Sequence, residues 1–352
     1  MSHEDRRAAF GRTLDEIQRH EQGHHGWVVL HQALGDLLET GHRAFSRLLD
    51  AAWTARPNIS DAHLVTLLSV TIRQIALRDP AGAHLFDEET DPAARLHALQ
   101  RLIDTYEADL TEEICVRSNS FTGARRFLVP QLIIGGFAAA HGIDEVRLLD
   151  LGTGAGILPR QLNNTVVFDR FHRDLNWRPW TPPYRHIPLT ARVGVDAPPL
   201  PTLEWVRACH GPSAYYEERF AELEWSFEQT AGVADQVVIK ALDILDLPQL
   251  SKFIRDYNFN VVTCNFVLFQ YDGPVQEMIE RCVMENIASP GLFLLMNPSH
   301  SLLRKGCIVE GRITGNPRRL HLADLSDAHM LGHATIGADL HVVIGDEGGV
   351  RG

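Results

Sequence analysis

The sequence predicts an α/β protein, a doubly wound and mostly parallel sheet preceded by an all-α region. Three observations carry this expectation. Up to about residue 140 the apolar positions return every three or four residues, the period of a helix face. Beyond "AAAHGIDE" the texture changes to short runs that are apolar throughout, as strands covered on both faces require. The first of these runs, Val146 to Leu151, leads directly into a glycine-rich turn and a helix.

Taken in order, "WVVLHQALGDLLETGHRAFSRLL" and "AHLVTLLSVTIRQIAL" read as amphipathic or buried helices. "TARPNISD", where Asn58, Ser60 and Asp61 offer caps, and "LRDPAGAHLFDEETDPAARL" divide the region into several helices. No period repeats, so residues 1–140 are expected to form a helical domain rather than a solenoid. Residues 141–352 form the sheet domain, with strands expected at Val146–Leu151, Ala191–Val195, Val237–Ile239, Val261–Cys264 and Leu292–Met296. In the tail, "RRLHLADL" and "ATIGADLHVVIGD" read as two further strands that finish the sheet with an antiparallel edge. The stretch from 165 to 190, rich in Pro, Arg and aromatics, is too long for a simple connection and is expected as an insertion.

A chain of 352 residues has room for two domains, and its net charge of -12 argues against a phosphate-coating surface. No apolar run reaches the length of a membrane span, and the first twenty residues are too charged for a signal peptide, so a cytoplasmic protein is expected. Five cysteines lie scattered without CxxC spacing and read as reduced thiols. His20, His24 and His25 have helical spacing, but no acidic or Cys partner completes a metal site, and none is expected.

The chemistry concentrates in "VRLLDLGTGAGILPRQL". Gly152, Gly154 and Gly156 let the backbone turn tightly and approach a ligand after Asp150. A nicotinamide fingerprint would need a glycine at position 157, which is Ile157, and an acidic strand end near 170, which is absent. The spacing found instead, an acidic residue, one position, then G-x-G-x-G, resembles motif I of the class I S-adenosylmethionine-dependent methyltransferases.

That resemblance implies a seven-stranded sheet, S-adenosylmethionine as cofactor, and roles for residues further along. Asp196, ending "TARVGVD", stands where the family's acidic residue accepts hydrogen bonds from the ribose hydroxyls. "VVIKALDILDLP" is similar to the family's next segment, which puts Asp243 near the adenine amino group and Ile244 against the ring. "NVVTCNFVLFQY" resembles the segment beneath the methyl donor and nominates Asn265, Phe266, Gln270 and Tyr271, the last two toward the substrate. "ASPGLFLLMNPS" is similar to the turn and fifth strand that follow. The chain also resembles an uncharacterised bacterial family, through "VRSNSFTGARRFLVPQL", "GTGAGILPRQLNNTVVFDRFHRDL" and "ARVGVDAPPLPTLEWVRACHGPSAYYEERFAEL". That family pairs a helical N-terminal region with a methyltransferase-like domain. Ser118, Asn119 and Ser120 match its first block only in part, and Gly154 replaces a serine of its second.

By this layout Asn119, Arg125 and Arg126 precede motif I, where they would touch the methionine carboxylate or a substrate anion; the alternative is capping by Ser120 or Thr122 with surface arginines. Trp177, Trp180 and Tyr184 either cover a substrate or anchor the insertion. As general base, His300 and His210 are the candidates. Cys209 beside His210 lacks a third orienting group and is set aside as a nucleophile. Glu217, Glu218, Glu222 and Glu224 read as the wet face of a helix whose buried face holds Tyr215, Tyr216, Phe220 and Trp225. The function expected is methyl transfer to a small-molecule acceptor, with a non-catalytic ligand-binding or scaffold protein as alternative. Nucleic acid and membrane are not expected partners, and any homodimer is expected through the helical domain.

Overall fold

The computed structural model describes residues 3–20, 25–57, 59–299 and 306–345. In chain order it contains α1 (His3–His20), α2 (His25–Glu39), α3 (Arg43–Ala55), α4 (Asp61–Ala76), α5 (Pro92–Thr105), α6 (Glu107–Val116), α7 (Leu128–Ala140), β1 (Val146–Leu151), α8 (Ile157–Gln161), α9 (Thr165–Phe171), β2 (Leu175–Arg178), β3 (Leu189–Asp196), α10 (Leu203–Cys209) and α11 (Ala214–Gln229). There follow β4 (Val237–Ala241), α12 (Leu247–Tyr257), β5 (Val261–Asn265), α13 (Gly273–Asn286), β6 (Leu292–Pro298), β7 (Cys307–Ile313), β8 (Leu320–Leu325), β9 (Gly332–Ile336) and α14 (Leu340–Ile344).

The chain divides into two compact units, Met1–Thr122 with Pro201–Ala221, and Gly123–Leu200 with Glu222–Gly352. The expected division at residue 140 is therefore drawn elsewhere. Helix α7 belongs with the sheet, because residues 128 to 138 are buried on every side, a pattern no surface helix of a helical bundle carries. Residues 201–221 return to the helical unit.

In the helical unit Leu30, Leu34, Phe45, Leu49, Leu64 and Leu68 lie at the centre of one apolar core, and α10 packs on α4. Ser60 caps α4 by accepting from the His63 backbone N–H, and Asp91 caps α5 with Pro92 in its first turn. Asn58 and the side chains of His20, His24 and His25 lie outside the described residues. None of the described helices is long and apolar enough to cross a membrane.

The other unit is built on a nine-stranded sheet in the order β2-β9-β8-β7-β6-β5-β1-β3-β4. Five strands, β4-β3-β1-β5-β6, are parallel, while β7, β8 and β9 continue as an antiparallel meander with β2 parallel to β9 at the edge. The sheet thus exceeds the expected seven strands. Strand β2 comes out of the 165–190 insertion, and β7 was hidden in a run that alternates buried and half-buried residues. In the other direction, "LHVVI" forms helix α14 instead of a strand, since a stretch this short, with four apolar residues around His341, suits a buried helix turn as well. Helices cover both faces. On one face α12 and α13 pack on Leu149, Leu151, Val193, Val195, Val262, Phe293 and Leu295. The other face carries Leu148, Asp150, Gly194, Asp196, Thr263 and Asn265 by strand alternation, and α7 contacts β6 and α14 there or at its margin.

Candidate functional site

Chain order along the parallel strands reverses between β1 and β5: β3 and β4 are laid down on one side, β5 and β6 on the other. In open parallel sheets such a switch point leaves a crevice beyond the carboxyl ends of the strands, because the connections depart in opposite directions. The glycine turn leaves β1 at that crevice and Asn265 ends β5 beside it.

Gly152, Gly154 and Gly156 all adopt positive φ, at 65°, 57° and 72°. Their surroundings differ. A Cβ at Gly152 would stand 2.3 Å from the Val267 side chain, and one at Gly156 would stand 2.5 Å from Ile239, so both serve close packing. A Cβ at Gly154 would meet none of the described residues within 4 Å. The turn is tied to β3 by the Thr153 backbone N–H, which donates to Val195 O at 3.0 Å, while the Thr153 side chain rests on Gly194. A glycine inside a strand marks such a close approach, a signal present in "RVGVD" but not used in the sequence reading.

Asp196 at the end of β3 reaches back to this turn. One carboxylate oxygen accepts from the Gly154 backbone N–H at 2.7 Å, and the other accepts from the Ala197 N–H at 2.8 Å. Each oxygen keeps a further lone pair. Beneath the turn, buried Asp150 accepts from the Thr263 hydroxyl at 2.6 Å. Burial raises its pKa to about 6 against the opposing Thr263 hydrogen bond, and the charge of Asp196 pushes the same way. Burial also raises the Asp196 pKa, opposed by its two backbone donors. Among the described residues no Arg, Lys or His pairs with either carboxyl. Thr263 was missed from sequence, although a hydroxyl in the middle of "VVTCN" was the available signal.

At the end of β5, Asn265 Oδ1 is buried without a hydrogen-bond partner among the described residues. Phe266 follows with φ of 57°, a left-handed conformation that costs a non-glycine residue energy and recurs at ligand-binding positions. Its backbone N–H donates to Met296 O at 2.7 Å, and the Arg126 guanidinium lies 4.1 Å from its ring centre. Arg126 is buried, which lowers its pKa to about 10. The structure therefore brings together Asp150, the three glycines, Asp196, Asn265 and Phe266, with Arg126 on the last of them.

Other expected site residues stand differently. Asp243 is exposed, and its carboxylate accepts from the Leu245 N–H in a tight turn. Ile244 is a core residue packed with Leu242 and Leu250 on the α12–α13 face, the opposite face from Asp150, so its side chain is spent on packing. Arg125 does not offer its fork to a ligand. Nε and Nη2 bind both oxygens of Glu222 at 3.0 and 2.7 Å, Nη1 binds Asp174 at 2.5 Å, and the guanidinium stacks 4.6 Å over Phe171. For the same reason Glu222 is not on a wet helix face: it is 7% exposed. Gln270 is exposed, with its amide nitrogen donating to Phe266 O, and Tyr271 is half-buried against the α12–α13 core. Trp177 lies on β2 with five strands between it and β1, and half-buried Trp180 follows that edge strand.

Asn119 and His210 belong to the helical unit. Asn119 Oδ1 accepts from the Phe121 N–H at 3.1 Å. His210 is 1% exposed, its Nδ1 hydrogen-bonds Val206 O, and its ring packs between Phe121 and Phe220, so it is part of a core and not an open base. His300 lies outside the described residues. All five cysteines are free thiols, and burial pushes Cys209 up to about 12, far from a nucleophile's range.

No protein-family model matches the chain, and no curated protein matches it. Solved structures do. The rRNA methyltransferase aviRa from Streptomyces viridochromogenes is 15% identical over 49% of this chain and 74% of its own, with a TM-score of 0.29. The CcbJ methyltransferase from Streptomyces caelestis is 18% identical over 56% of this chain and 72% of its own, with a TM-score of 0.27. PKMT2 from Rickettsia typhi, determined in complex with AdoHcy, is 18% identical over 49% of this chain with a TM-score of 0.25, and the match spans only 25% of the PKMT2 chain. At such identities the chemistry of the site has to be read from this chain's own residues.

Proposed function

We propose that the sheet unit binds S-adenosylmethionine at the ends of β1, β3 and β5, and that the protein transfers its methyl group to a small-molecule acceptor. One observation carries this reading. Asp196 of β3 closes onto the glycine turn of β1 above the buried Asp150, and no basic side chain of the described residues compensates either acid. A site that leaves two carboxyls without a cation selects a ligand that brings one. When bound, the cofactor supplies a sulfonium methyl whose positive charge disappears on transfer.

The residues present fit that group. The spare lone pairs of Asp196 suit a ribose diol, the open side of Gly154 admits a ligand against backbone, and Asn265 Oδ1 is an acceptor waiting for a donor. For the acceptor molecule, the chain's contribution is alignment: holding nucleophile and methyl in line supplies most of the acceleration in such a displacement. We assign its orientation to Phe266, held at positive φ after β5, and to Asn265 before it. Asp243 is retained in the reading as an exposed contact, while Ile244 and Arg125 are not.

Titration calorimetry with S-adenosylmethionine and S-adenosylhomocysteine tests the proposal. Both are expected to bind the intact chain one to one, and Asp196→Ala to weaken binding tenfold or more, since hydrogen bonds to a charged group contribute roughly 1.5–3 kcal/mol. Absence of binding to the intact chain, or full binding by Asp196→Ala, overturns it.

A further inference from the structure

A second cavity, of about 210 Å3, lies wholly within the helical unit and has no part in the site described above. Among the described residues its lining contains no Asp, Glu, Lys or Arg. Aromatic side chains form much of the wall. Trp27 is held from three sides, by the Phe86 ring edge at 5.8 Å, by a parallel stack with His31 at 6.3 Å, and by Gly211, where a Cβ would stand 2.5 Å from its indole nitrogen. Phe121 and Tyr216 meet edge to face at 5.7 Å. These rings are fixed before any ligand arrives, which lowers the entropy lost on binding.

Polar groups also reach this wall. Ser69 donates to Val65 O at 2.8 Å, so its oxygen accepts from His31 Nε2 at 2.9 Å, and both residues are only 3% exposed. Asn119 has its carbonyl oxygen engaged by the Phe121 N–H, and its amide nitrogen makes no hydrogen bond to the described residues. Apolar cavities of about 150 Å3 admit benzene. The larger volume here suits one aromatic ring with a small substituent, or two fused rings, and the Asn119 amide offers a donor to an oxygen on that ring.

We propose that this cavity is a binding site for a small, uncharged aromatic molecule bearing a hydroxyl or similar oxygen, a phenol-type ligand. The assignment stands independently of methyl transfer in the sheet unit. The described wall offers a carboxylate no cationic partner, so carboxylated relatives are expected to bind more weakly, losing hydration without gaining an ion pair.

Calorimetric titration of the full chain with p-cresol, indole and p-hydroxybenzoate tests it. p-Cresol and indole are expected to bind saturably at one equivalent, and p-hydroxybenzoate at least tenfold more weakly. Thr66→Phe, which fills the cavity from the half-buried side of α4, should remove binding of both neutral rings while leaving the helical circular dichroism unchanged. Asn119→Ala should weaken p-cresol several-fold and leave indole as it was, and this variant decides the matter if Thr66→Phe fails to fold. No saturable binding of either ring to the intact chain, equal binding of the carboxylate, or a folded Thr66→Phe protein that still binds overturns the proposal.

Discussion

Glu222 and Asp150 are both acids of the sheet unit with less than a tenth of their surface exposed, yet their partners differ in kind. Glu222 is clamped by both arms of Arg125, with Asp174 on the remaining nitrogen. Glu280 has the same character, paired with Arg312 at 2.9 Å and with Arg319, and it joins α13 to the antiparallel strands. Asp150 and Asp196 are held, among the described residues, by threonine hydroxyls and by backbone N–H groups. The difference separates carboxyls spent on structure from those the proposed site would use. Where the chain supplies the counter-charge the acid is consumed in holding elements together, and where it supplies only neutral donors the site keeps an electrostatic preference for a cation.

The largest consequence falls on the structural side. Glu222→Ala leaves the buried Arg125 guanidinium with only half-exposed Asp174, and breaking one side of a buried pair costs about 3–5 kcal/mol. Urea unfolding is expected to show a loss of that order in the stability of the intact chain. A loss below about 1 kcal/mol would mean that Asp174 and solvent satisfy Arg125 unaided, and the distinction between the two kinds of carboxyl would fail.

On the functional side the effect depends on pH. The folded-state pKa of Asp150, about 6, lies above the ordinary aspartate value near 3.9, so the folded chain holds this proton more tightly than the unfolded one. The stability Asp150 contributes is therefore present below about pH 4 and is lost as pH climbs through about 6. Asp150→Asn keeps an acceptor for Thr263 and removes the titration. Its stability relative to the parent should rise between pH 4 and 7 by roughly 2–3 kcal/mol, the size of a shift of about two pKa units. Affinity of the parent for S-adenosylmethionine should increase over the same window as the acid ionises, and that increase should flatten in the variant. A difference curve without slope in this range would show that Asp150 is solvated and ordinary.

How far these features were legible in sequence follows from how local they are. The runs "VRLLDL", "VVTCN" and "LFLLMNP" announce strands buried on both faces, and the glycine turn after the first announces itself through spacing. Both depend on neighbours in the chain. The partnership of Arg125 with Glu222 spans 97 residues and joins two segments that look like solvated helix surface when read separately. In "VVIKALDIL" Asp243 stands in a tight turn after β4, and which face of the sheet receives Ile244 is fixed by α12 and α13 packing behind it. Strand β2 and helix α14 are short, and four or five residues carry no decisive period, so their identity is set by the sheet edge and by α7.

The smallest effect is also the most discriminating, because it separates glycines within a single turn. Gly152→Ala and Gly154→Ala both place a side chain at positive φ, which costs roughly 1–2 kcal/mol. At Gly152 the new Cβ also runs into Val267 at 2.3 Å, so this variant should lose additional stability. At Gly154 nothing stands within 4 Å, and the thermal midpoint should fall only by the backbone cost. Because that Cβ occupies the open side of the turn, Gly154→Ala should weaken S-adenosylhomocysteine binding at least tenfold despite its milder effect on folding, with the backbone N–H to Asp196 retained. The reverse ranking, with a stable Gly154→Ala that binds like the parent, would place the ligand somewhere other than against this turn, while leaving the packing role of Gly152 intact.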